Sequence, residues 1–507
     1  MKPNRPLNLL SNYAGTAWTM LVQLLLVPVY IRLLGVEAWG LVGFYLTLVA
    51  VLQVLDLGLS PALTRELARR TAGSATLPGT ADMVKTLEAI YWIVGLGLGL
   101  LIAATSSLLA NHWVNAEGLP PEDVARAISL MGLSVAFQWP ISFYTGGLLG
   151  LQRQTVTALV NVAMVTAFGV GVVALLIPWP DIDVFLGWRA ITALLTAAVL
   201  RRMLLTSPGC RSPGERGHVR LGSLAGIWRF SLGMSGITLT AMILTQIDKL
   251  VVTKLLPLDQ FGYYSLANSA TSLLAQLAAP LSVVVFPMLS QAIVRNDPHR
   301  LHAQFHLSTQ LAALFLFPAA TTLMFFAHDV LTVWTGNAVL ADSAATALSL
   351  LALGALLNSI MAMPYTLQLS HGWTRLSVYI NLVLIAITLP YSIFATSRWG
   401  LVGAASTPVV MNAAYILITA PILFRRLLPG EGRRWFIRDV AVPLVSIVAV
   451  AAVCLLIPSG GSRVLLLLKL LLVASATYLA ALSTANVARA RARELLAAKF
   501  GWGARKV

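Results

Sequence analysis

The sequence predicts a multi-pass membrane protein that is almost entirely α-helical and contains two homologous halves. Three observations lead to this fold class. Hydrophobic residues make up 58% of the 507 residues and charged residues only 11%, with a mean hydropathy of +0.81. The apolar runs are continuous and about 20 residues long, the length that crosses a bilayer as a helix. A nine-residue motif recurs 222 residues further along the chain.

Other fold classes fit these features poorly. A soluble protein of this length needs more surface charge, and the strands of a membrane barrel alternate between apolar and polar residues over ~10 positions. The first apolar stretch, residues 7–34, is too long for the core of a signal peptide and is expected to be a retained span. In all, the sequence contains fourteen candidate spans, at about 7–34, 38–63, 86–110, 124–149, 155–178, 183–203, 225–256, 261–289, 303–327, 339–368, 374–396, 399–424, 437–457 and 464–487.

The distribution of basic residues predicts the orientation of these spans. With a cytoplasmic N-terminus, most of the 35 Lys and Arg residues fall in cytoplasmic connections, of which Arg65–Lys85, Arg201–Ser223 and Arg425–Asp439 are the longest. The opposite connections are acidic or neutral. The positive-inside rule therefore predicts that both termini are cytoplasmic. The same distribution accounts for the net charge of +16 without a nucleic-acid partner.

The predicted organisation has two six-span lobes, followed by two further spans and a basic tail. Residues 1–203 form an N-lobe of six spans, 204–222 a basic cytoplasmic linker, and 223–424 a C-lobe with spans seven to twelve. Spans thirteen and fourteen lie in 425–488, and 489–507 form a basic cytoplasmic tail expected to contact anionic headgroups. The repeated motif is Arg32-Leu-Leu-Gly-Val-Glu-Ala-Trp-Gly40 and Lys254-Leu-Leu-Pro-Leu-Asp-Gln-Phe-Gly262. Both copies fall at outward turns, which predicts parallel repeats. Trp39–Gly43 also recurs as Trp399–Gly403.

Charged side chains within the spans are the main candidates for function. Each costs about 2.5–3.5 kcal/mol at mid-membrane on insertion scales, so it must face protein or a water-filled cavity. The candidates are Asp56, Arg189 and the adjacent Asp248 and Lys249, together with Gln23 on a polar face of the first span. Neighbours on a helix point about 100° apart, so Asp248 and Lys249 are not expected to pair well with each other. A buried structural ion pair or a snorkelling lysine remains the alternative.

Other polar residues have simpler interpretations. Lys469 is expected to reach the outer interface with its long side chain. His299, His302 and His306 share one helical face and are expected to form a solvated inner helix end rather than a metal site.

The chain resembles the polysaccharide and O-antigen flippases of the multidrug/oligosaccharidyl-lipid/polysaccharide exporter superfamily over most of residues 7–424. The similar features are the first hairpin, Asp56-Leu-Gly-Leu59, the basic Arg65-Glu66 loop, Asp248-Lys249, Tyr263-Tyr264-Ser265 and Phe286-Pro-Met-Leu-Ser290. The resemblance implies two six-helix lobes in a V around a central cavity, in a bacterial plasma membrane. It also implies transport of a polyprenyl-diphosphate-linked oligosaccharide to the outer leaflet by alternating access.

The resemblance implies roles for the candidate residues. Arg32, Arg189, Lys249 and Lys254 would attract the diphosphate, while Asp56 and Asp248 would bind a coupling ion, H⁺ or Na⁺, or hold those cations. No cofactor, metal or catalytic residue is expected. Expected partners are the lipid-linked glycan, membrane lipids, and a polysaccharide polymerase or glycosyltransferases.

Three other functions remain open. A cation-coupled multidrug exporter or a flippase of the peptidoglycan lipid precursor would belong to the same superfamily. A membrane glycosyltransferase or polymerase fits least well, because the longest outer connection, Asn111–Asp123, is short and carries no catalytic motif.

Overall fold

A computed structural model of the protein describes residues 5–70, 79–207, 210, 218–220, 222, 225–458, 460 and 462–486. These residues are almost entirely helical. The helices are α1 (Arg5–Leu34), α2 (Val36–Leu52), α3 (Leu59–Arg70), α4 (Thr80–His112), α5 (Pro121–Gly150), α6 (Gln154–Leu176), α7 (Ile182–Leu205), α8 (Ala225–Leu255), α9 (Leu258–Val294), α10 (Pro298–Phe325), α11 (Ala327–Thr335), α12 (Ala338–Ser370), α13 (Thr374–Arg426), α14 (Gly432–Arg434), α15 (Val442–Cys454) and α16 (Arg463–Thr484). A 3₁₀ turn, Gln53–Asp56, follows α2, and a π-helical segment, Trp435–Ala441, precedes α15.

Within the described residues, twelve helices are long and apolar enough to cross a membrane. One of them, α13, is broken at Gly400, whose φ of 55° lies outside the helical region. Its two parts fold back on each other, since the Tyr391 hydroxyl lies 2.9 Å from the Ser406 hydroxyl. The all-helical, multi-pass membrane fold is thus confirmed. The count of fourteen spans and the cytoplasmic placement of the termini stay predictions.

The chain forms two compact units, residues 1–262 and 263–507. The first unit includes α8, whereas the sequence places the start of the C-lobe at residue 223. The predicted lobe boundaries themselves stay predictions. Most of the linker at 204–222 and all of the basic tail at 489–507 lie outside the described residues.

Several helices begin where the sequence supplies a cap. The Asp181 carboxylate accepts a hydrogen bond from the Asp183 N–H at 2.9 Å, and the Asn337 side chain accepts one from the Val339 N–H at 3.0 Å. Such caps satisfy N–H groups that have no partner within the first turn. Proline begins α5 and α10, where its missing N–H costs nothing.

The two copies of the repeated hairpin contact each other through their glycines. A Cβ atom added at Gly40 would overlap the carbonyl oxygen of Leu258, and one added at Gly262 would overlap that of Val36. Val36 and Leu258 occupy equivalent positions in the two copies, so the contact is reciprocal, as in a twofold-symmetric interface. Only glycine allows two backbones to approach this closely.

A second feature also repeats, at the turns that join α5 to α6 and α12 to α13. The first turn places Gln152 at a φ of 59°, and the second places Gly372 at a φ of 69°. In each turn this residue donates its N–H to the carbonyl three residues earlier, and the next residue donates to the carbonyl five residues earlier. This is the Schellman pattern of helix ends. The spacing of 220 residues supports the duplication seen in the hairpins.

The shorter match between Trp39–Gly43 and Trp399–Gly403 does not mark equivalent positions. The first copy lies inside α2, after a turn at Gly35, and its Trp39 is buried. In the second copy Gly400 is itself the turn, and Trp399 is exposed. This match therefore does not support the repeat, because the same residues adopt different local geometries.

Buried polar contacts attach the last two long helices to the rest of the second unit. The Lys469 ammonium of α16 donates to the Asp329 carboxylate of α11 at 2.8 Å, and both side chains are about 95% buried. The His306 ring of α10 contacts Asp439 through Nδ1 and Glu431 through Nε2, the latter at 3.0 Å. One set of contacts lies near the start of α10 and the other just beyond its end. The helices α15 and α16 are therefore held at both ends of α10.

These contacts correct two sequence expectations. Lys469 does not extend to an interface, because a buried carboxylate lies within its reach. His306 is not part of a solvated helix end, since the chain from Glu431 to Asp439 covers it, although His299 is exposed. The helical-face pattern could not reveal partners more than 100 residues away.

We expect Gly40→Ala and Gly262→Ala each to destabilise the protein, because the new methyl group overlaps a backbone carbonyl that cannot rotate away. Overpacking of this kind costs about 1–3 kcal/mol. The thermal unfolding temperature of the detergent-purified protein checks this prediction. Gly97→Ala is the matched control, since no atom lies within 4 Å of its added Cβ. Equal unfolding temperatures for all three variants would contradict the hairpin contact.

We expect Lys469→Met to lower the unfolding temperature strongly, because it leaves the buried Asp329 carboxylate without its ammonium partner. Removing one member of a buried pair costs about 3–5 kcal/mol. A double variant, Lys469→Met with Asp329→Leu, should recover most of the loss. Leu468→Met, on the exposed side of the same helix, is the control. A single variant as stable as this control would refute the role of the pair.

Candidate functional site

Asp56 is positioned by a break between α2 and α3. The 3₁₀ turn ends at Asp56, and the next two residues, Leu57 and Gly58, have φ values of 48° and 75°. This left-handed step ends the helix and lets α3 start in a new direction. The Asp56 carboxyl accepts hydrogen bonds from the Tyr91 hydroxyl of α4 and, at 3.3 Å, from the Ser60 N–H.

Helix α3 is held close to α5 by small residues. A Cβ atom at Gly150 would lie 2.7 Å from the Thr64 carbonyl oxygen, and Thr64 donates its hydroxyl to the Gly146 carbonyl at 2.8 Å. The Ser60 hydroxyl donates to the Ser142 carbonyl at 2.9 Å. Small residues and hydroxyl groups are the usual means of close helix packing in lipid. This packing fixes the wall of α5 opposite Asp56.

A cavity of about 380 Å³ lies between the end of α2, the start of α3 and the middle of α5. Its polar lining residues are Gln53, Asp56, Ser60, Gln138 and Ser142, and Trp139 is among its apolar ones. Polar groups inside a membrane bundle must face protein or a cavity. This cavity is therefore the place where Asp56 meets other functional side chains.

Arg189 does not line this cavity, but it is hydrogen-bonded to Gln138, which does. Its guanidinium donates to Gln138 Oε1 at 3.3 Å and to the Tyr45 hydroxyl at 3.4 Å. The Tyr45 hydroxyl also donates to Gln138 Oε1, at 2.6 Å. The Arg189 guanidinium lies 5.0 Å from the centre of the Phe168 ring, a cation–π distance. Arg189 is thus held by side chains of three other helices.

Asp248 and Lys249 form an ion pair with each other on α8, although adjacent positions on a helix do not favour a close one. The Lys249 ammonium lies 3.2 Å and 3.4 Å from the two Asp248 carboxylate oxygens and donates to the Thr245 carbonyl at 3.0 Å. The long lysine side chain bends back along the helix, so the 100° angle between the two positions does not keep the charged ends apart. Asp248 is buried and Lys249 partly buried.

The remaining candidates lie elsewhere in the first unit. Lys254 donates to the His112 carbonyl and lies 5.7 Å from the centre of the Trp113 ring, so it anchors the second hairpin to the α4–α5 connection. Arg32 is exposed at the end of α1, and Gln23 is exposed further along the same helix. Asp56 and Arg189 meet through Gln138, and Asp248 meets Lys249. The described contacts of Arg32, Gln23 and Lys254 place none of them at the Asp56 cavity.

Sequence reasoning missed the residues that link these groups. Gln138 and Tyr91 are polar residues inside predicted spans, which was the available signal, but their roles depend on partners far along the chain. Glu88 was also missed, two residues inside the predicted third span. Its carboxylate accepts hydrogen bonds from Arg201 at 2.5 Å and from the Tyr144 hydroxyl at 2.7 Å, and it is buried.

The second unit contains a smaller cavity of about 290 Å³. Ala275, Ala279 and Ser282 line it from α9, opposite Asn358 and Tyr365. These three α9 residues belong to a stripe of small and polar residues along the predicted eighth span. The described lining of this cavity contains no charged side chain, unlike that of the cavity in the first unit.

Comparison with known families finds two family models that match this chain. The family model described as "Polysaccharide biosynthesis protein" matches residues 8–294, which is more than half of the chain. The chain belongs to this polysaccharide biosynthesis protein family. A second model, MatE, matches residues 234–394. Together they confirm the resemblance to the exporter superfamily that the sequence motifs indicated.

A curated relative is only distantly similar in sequence. The chain is 24% identical over 313 residues to the succinoglycan biosynthesis transport protein ExoT of Rhizobium meliloti (strain 1021). That match covers 61% of this chain and 58% of the relative, less than two thirds of its length. The relative's name describes it as a transport protein.

Solved structures with the same fold are similarly distant in sequence. A lipid II flippase MurJ in an inward closed conformation matches with a TM-score of 0.72 and 14% identity, covering 94% of this chain and 98% of that one. An inward-facing multidrug resistance MATE family transporter of the MOP superfamily matches with a TM-score of 0.64 and 14% identity, covering 83% and 96%. The chain therefore has the fold of this superfamily.

Proposed function

We propose that the protein is a flippase that moves a polyprenyl-diphosphate-linked oligosaccharide from the inner to the outer leaflet of a bacterial plasma membrane by alternating access. It acts without catalysis, in the biosynthesis of a surface polysaccharide. The observation that carries this proposal is the family match across residues 8–294, which includes every charged residue singled out as a site candidate. A coupling ion, H⁺ or Na⁺, and neighbouring glycosyltransferases or a polymerase would complete the system.

The chemistry of the first unit supports this proposal. A lipid-linked glycan has a polar head that must leave water, while its isoprenoid tail can stay in lipid. The head therefore needs hydrogen-bonding groups within the helix bundle. Asp56, Gln138 and two serines line such a cavity. An apolar drug would not require this set of directional polar contacts.

The Asp248–Lys249 pair is suited to meet the diphosphate. Its nitrogen–oxygen distances, 3.2 Å and 3.4 Å, exceed the 2.7–2.9 Å typical of strong charge-assisted hydrogen bonds. A lysine held by a weak pair can turn towards a stronger anion at a small cost. Asp248 balances the charge of the partly buried ammonium until the substrate arrives.

The two other transport functions make different demands. A multidrug exporter would be needed for resistance to toxic compounds, and a flippase of the peptidoglycan lipid precursor would be needed for growth. The proposed function predicts neither a loss of drug resistance nor a loss of growth. It predicts that production of the surface polysaccharide depends on the protein.

We expect deletion of the gene to abolish the surface polysaccharide, with the lipid-linked glycan accumulating on the cytoplasmic face. Protection of this glycan from a membrane-impermeant glycosidase in intact spheroplasts is the measurement. The complemented strain is the control. A strain without a redundant homologue that still makes normal surface polysaccharide would contradict the proposal. Loss of drug resistance alone, or loss of viability alone, would favour the other two functions.

We expect Asp248→Asn and Lys249→Gln each to lower the rate of polysaccharide export at least tenfold in the complemented strain. The first variant leaves the partly buried ammonium without its counter-charge, and the second removes the anion-binding group. A double variant should recover the unfolding temperature but not the export rate, since it restores charge balance without the ammonium. Met242→Leu on the same helix is the control. Export that recovers together with stability would reduce the pair to a structural role.

A further inference from the structure

The hydrogen-bonding state of Gln138 defines what the cavity beside Asp56 can bind. Gln138 Oε1 accepts hydrogen bonds from the Tyr45 hydroxyl and from the Arg189 guanidinium. Arginine can only donate, so the carbonyl end of the amide must face Arg189. The –NH₂ end is thereby directed away from it. Among the described residues, no acceptor is bonded to this nitrogen, and Gln138 lines the cavity.

The opposite wall of the cavity offers acceptors. The Asp56 carboxyl has about four lone-pair sites, of which the Tyr91 hydroxyl and the Ser60 N–H occupy two. The Ser60 and Ser142 hydroxyls donate to backbone carbonyls at 2.9 Å and 3.0 Å, so their oxygens remain able to accept. The cavity thus combines one strong donor group with several acceptors.

These groups disfavour both the phosphate and the lipid parts of the substrate. A phosphate would face a carboxyl group and serine lone pairs, while the guanidinium of Arg189 is held behind Gln138 and against Phe168. An isoprenoid chain would leave the Gln138 amide and the Asp56 oxygens without partners. Each such loss costs about 1–3 kcal/mol.

A neutral sugar can form hydrogen bonds with the polar groups on both walls of the cavity. Each of its hydroxyls can donate to a carboxyl or serine oxygen and accept from an amide N–H. The volume of about 380 Å³ falls within the range of small-molecule sites. The apolar part of the lining, which includes Trp139, can cover the C–H face of a sugar ring.

We propose that this cavity binds a neutral sugar residue of the transported glycan, with Asp56 and Gln138 as its polar contacts. Arg189 is a positioning residue that orients the Gln138 amide, rather than a phosphate ligand. This inference rests on the proposed function and specifies which part of the substrate the cavity recognises.

The test is binding of free neutral disaccharides to the purified full-length protein. Cellobiose, lactose and maltose are titrated separately and followed by saturation-transfer NMR, which detects weak binding, with inorganic pyrophosphate as the anionic probe. We expect saturable binding of at least one disaccharide. Asp56→Asn and Gln138→Leu should each weaken it at least tenfold. Asn358→Leu, a polar-to-apolar change in the cavity of the second unit, should leave it unchanged.

The positioning role of Arg189 has its own readout. Arg189→Met should weaken disaccharide binding about as much as Gln138→Leu, and Arg189→Lys should largely restore it, because lysine still donates to Gln138 Oε1. In the Gln138→Leu background, Arg189→Met should add no further loss, since residues that act through one contact are not additive. A purely structural arginine would give additive losses.

Three results would overturn the inference. These are the absence of saturable binding by any of the disaccharides, wild-type binding in both the Asp56 and Gln138 variants, and pyrophosphate binding that those variants abolish. The assay is independent of the export test. Normal surface polysaccharide in the deletion strain together with intact sugar binding would refute the proposed function alone. Lost polysaccharide together with unaffected variants would refute this inference alone.

Discussion

The close contact between the two repeated hairpins determines where the charged groups of the first unit lie. Gly40 of α2 and Gly262 at the start of α9 each touch the backbone of the opposite copy, next to the turn that follows α8, and α2 also packs against α8. Helix α2 leads directly into the turn that ends at Asp56, and α8 carries Asp248 and Lys249. A side chain at either glycine would separate the helices that carry these groups. The main role of the hairpin motif is therefore helix packing through its glycines, and its cations contribute less to the structure.

The buried charges of both units follow one rule, which is that each is held by a specific partner. Asp56 accepts from Tyr91, Arg189 donates to Gln138, Glu88 binds Arg201, and Lys469 binds Asp329. Unpaired charges in a low-dielectric interior are too costly to persist. The bundle consequently offers a substrate directional hydrogen bonds more than net charge. Under the proposed function, that property would suit a glycan head group, and Lys249, whose ion pair is long, would be available for the diphosphate.

Sequence alone predicted the fold class, the repeat and the placement of most charges inside helices, because these depend on local composition and period. It failed where a long side chain or a distant partner decides the outcome. Lys249 bends back to Asp248 despite the angle between them, and His306 is buried by a segment 125 residues or more away. Gln138 could be recognised as polar within a span, but its orientation depends on Tyr45 and Arg189. Identical residues at Gly40 and Gly400 also adopt different conformations, which no pattern match could reveal.

The central claim, that this protein carries a lipid-linked glycan across the bilayer, is tested most directly in proteoliposomes. Vesicles containing the purified protein and a fluorescent polyprenyl-diphosphate oligosaccharide are treated with a membrane-impermeant glycosidase, and the fraction of cleaved lipid is followed over time. Without protein, only the outer half is accessible. With the wild-type protein and a proton or sodium gradient, we predict that the inner half also becomes cleaved. An inner half that stays protected under both gradients would contradict the account.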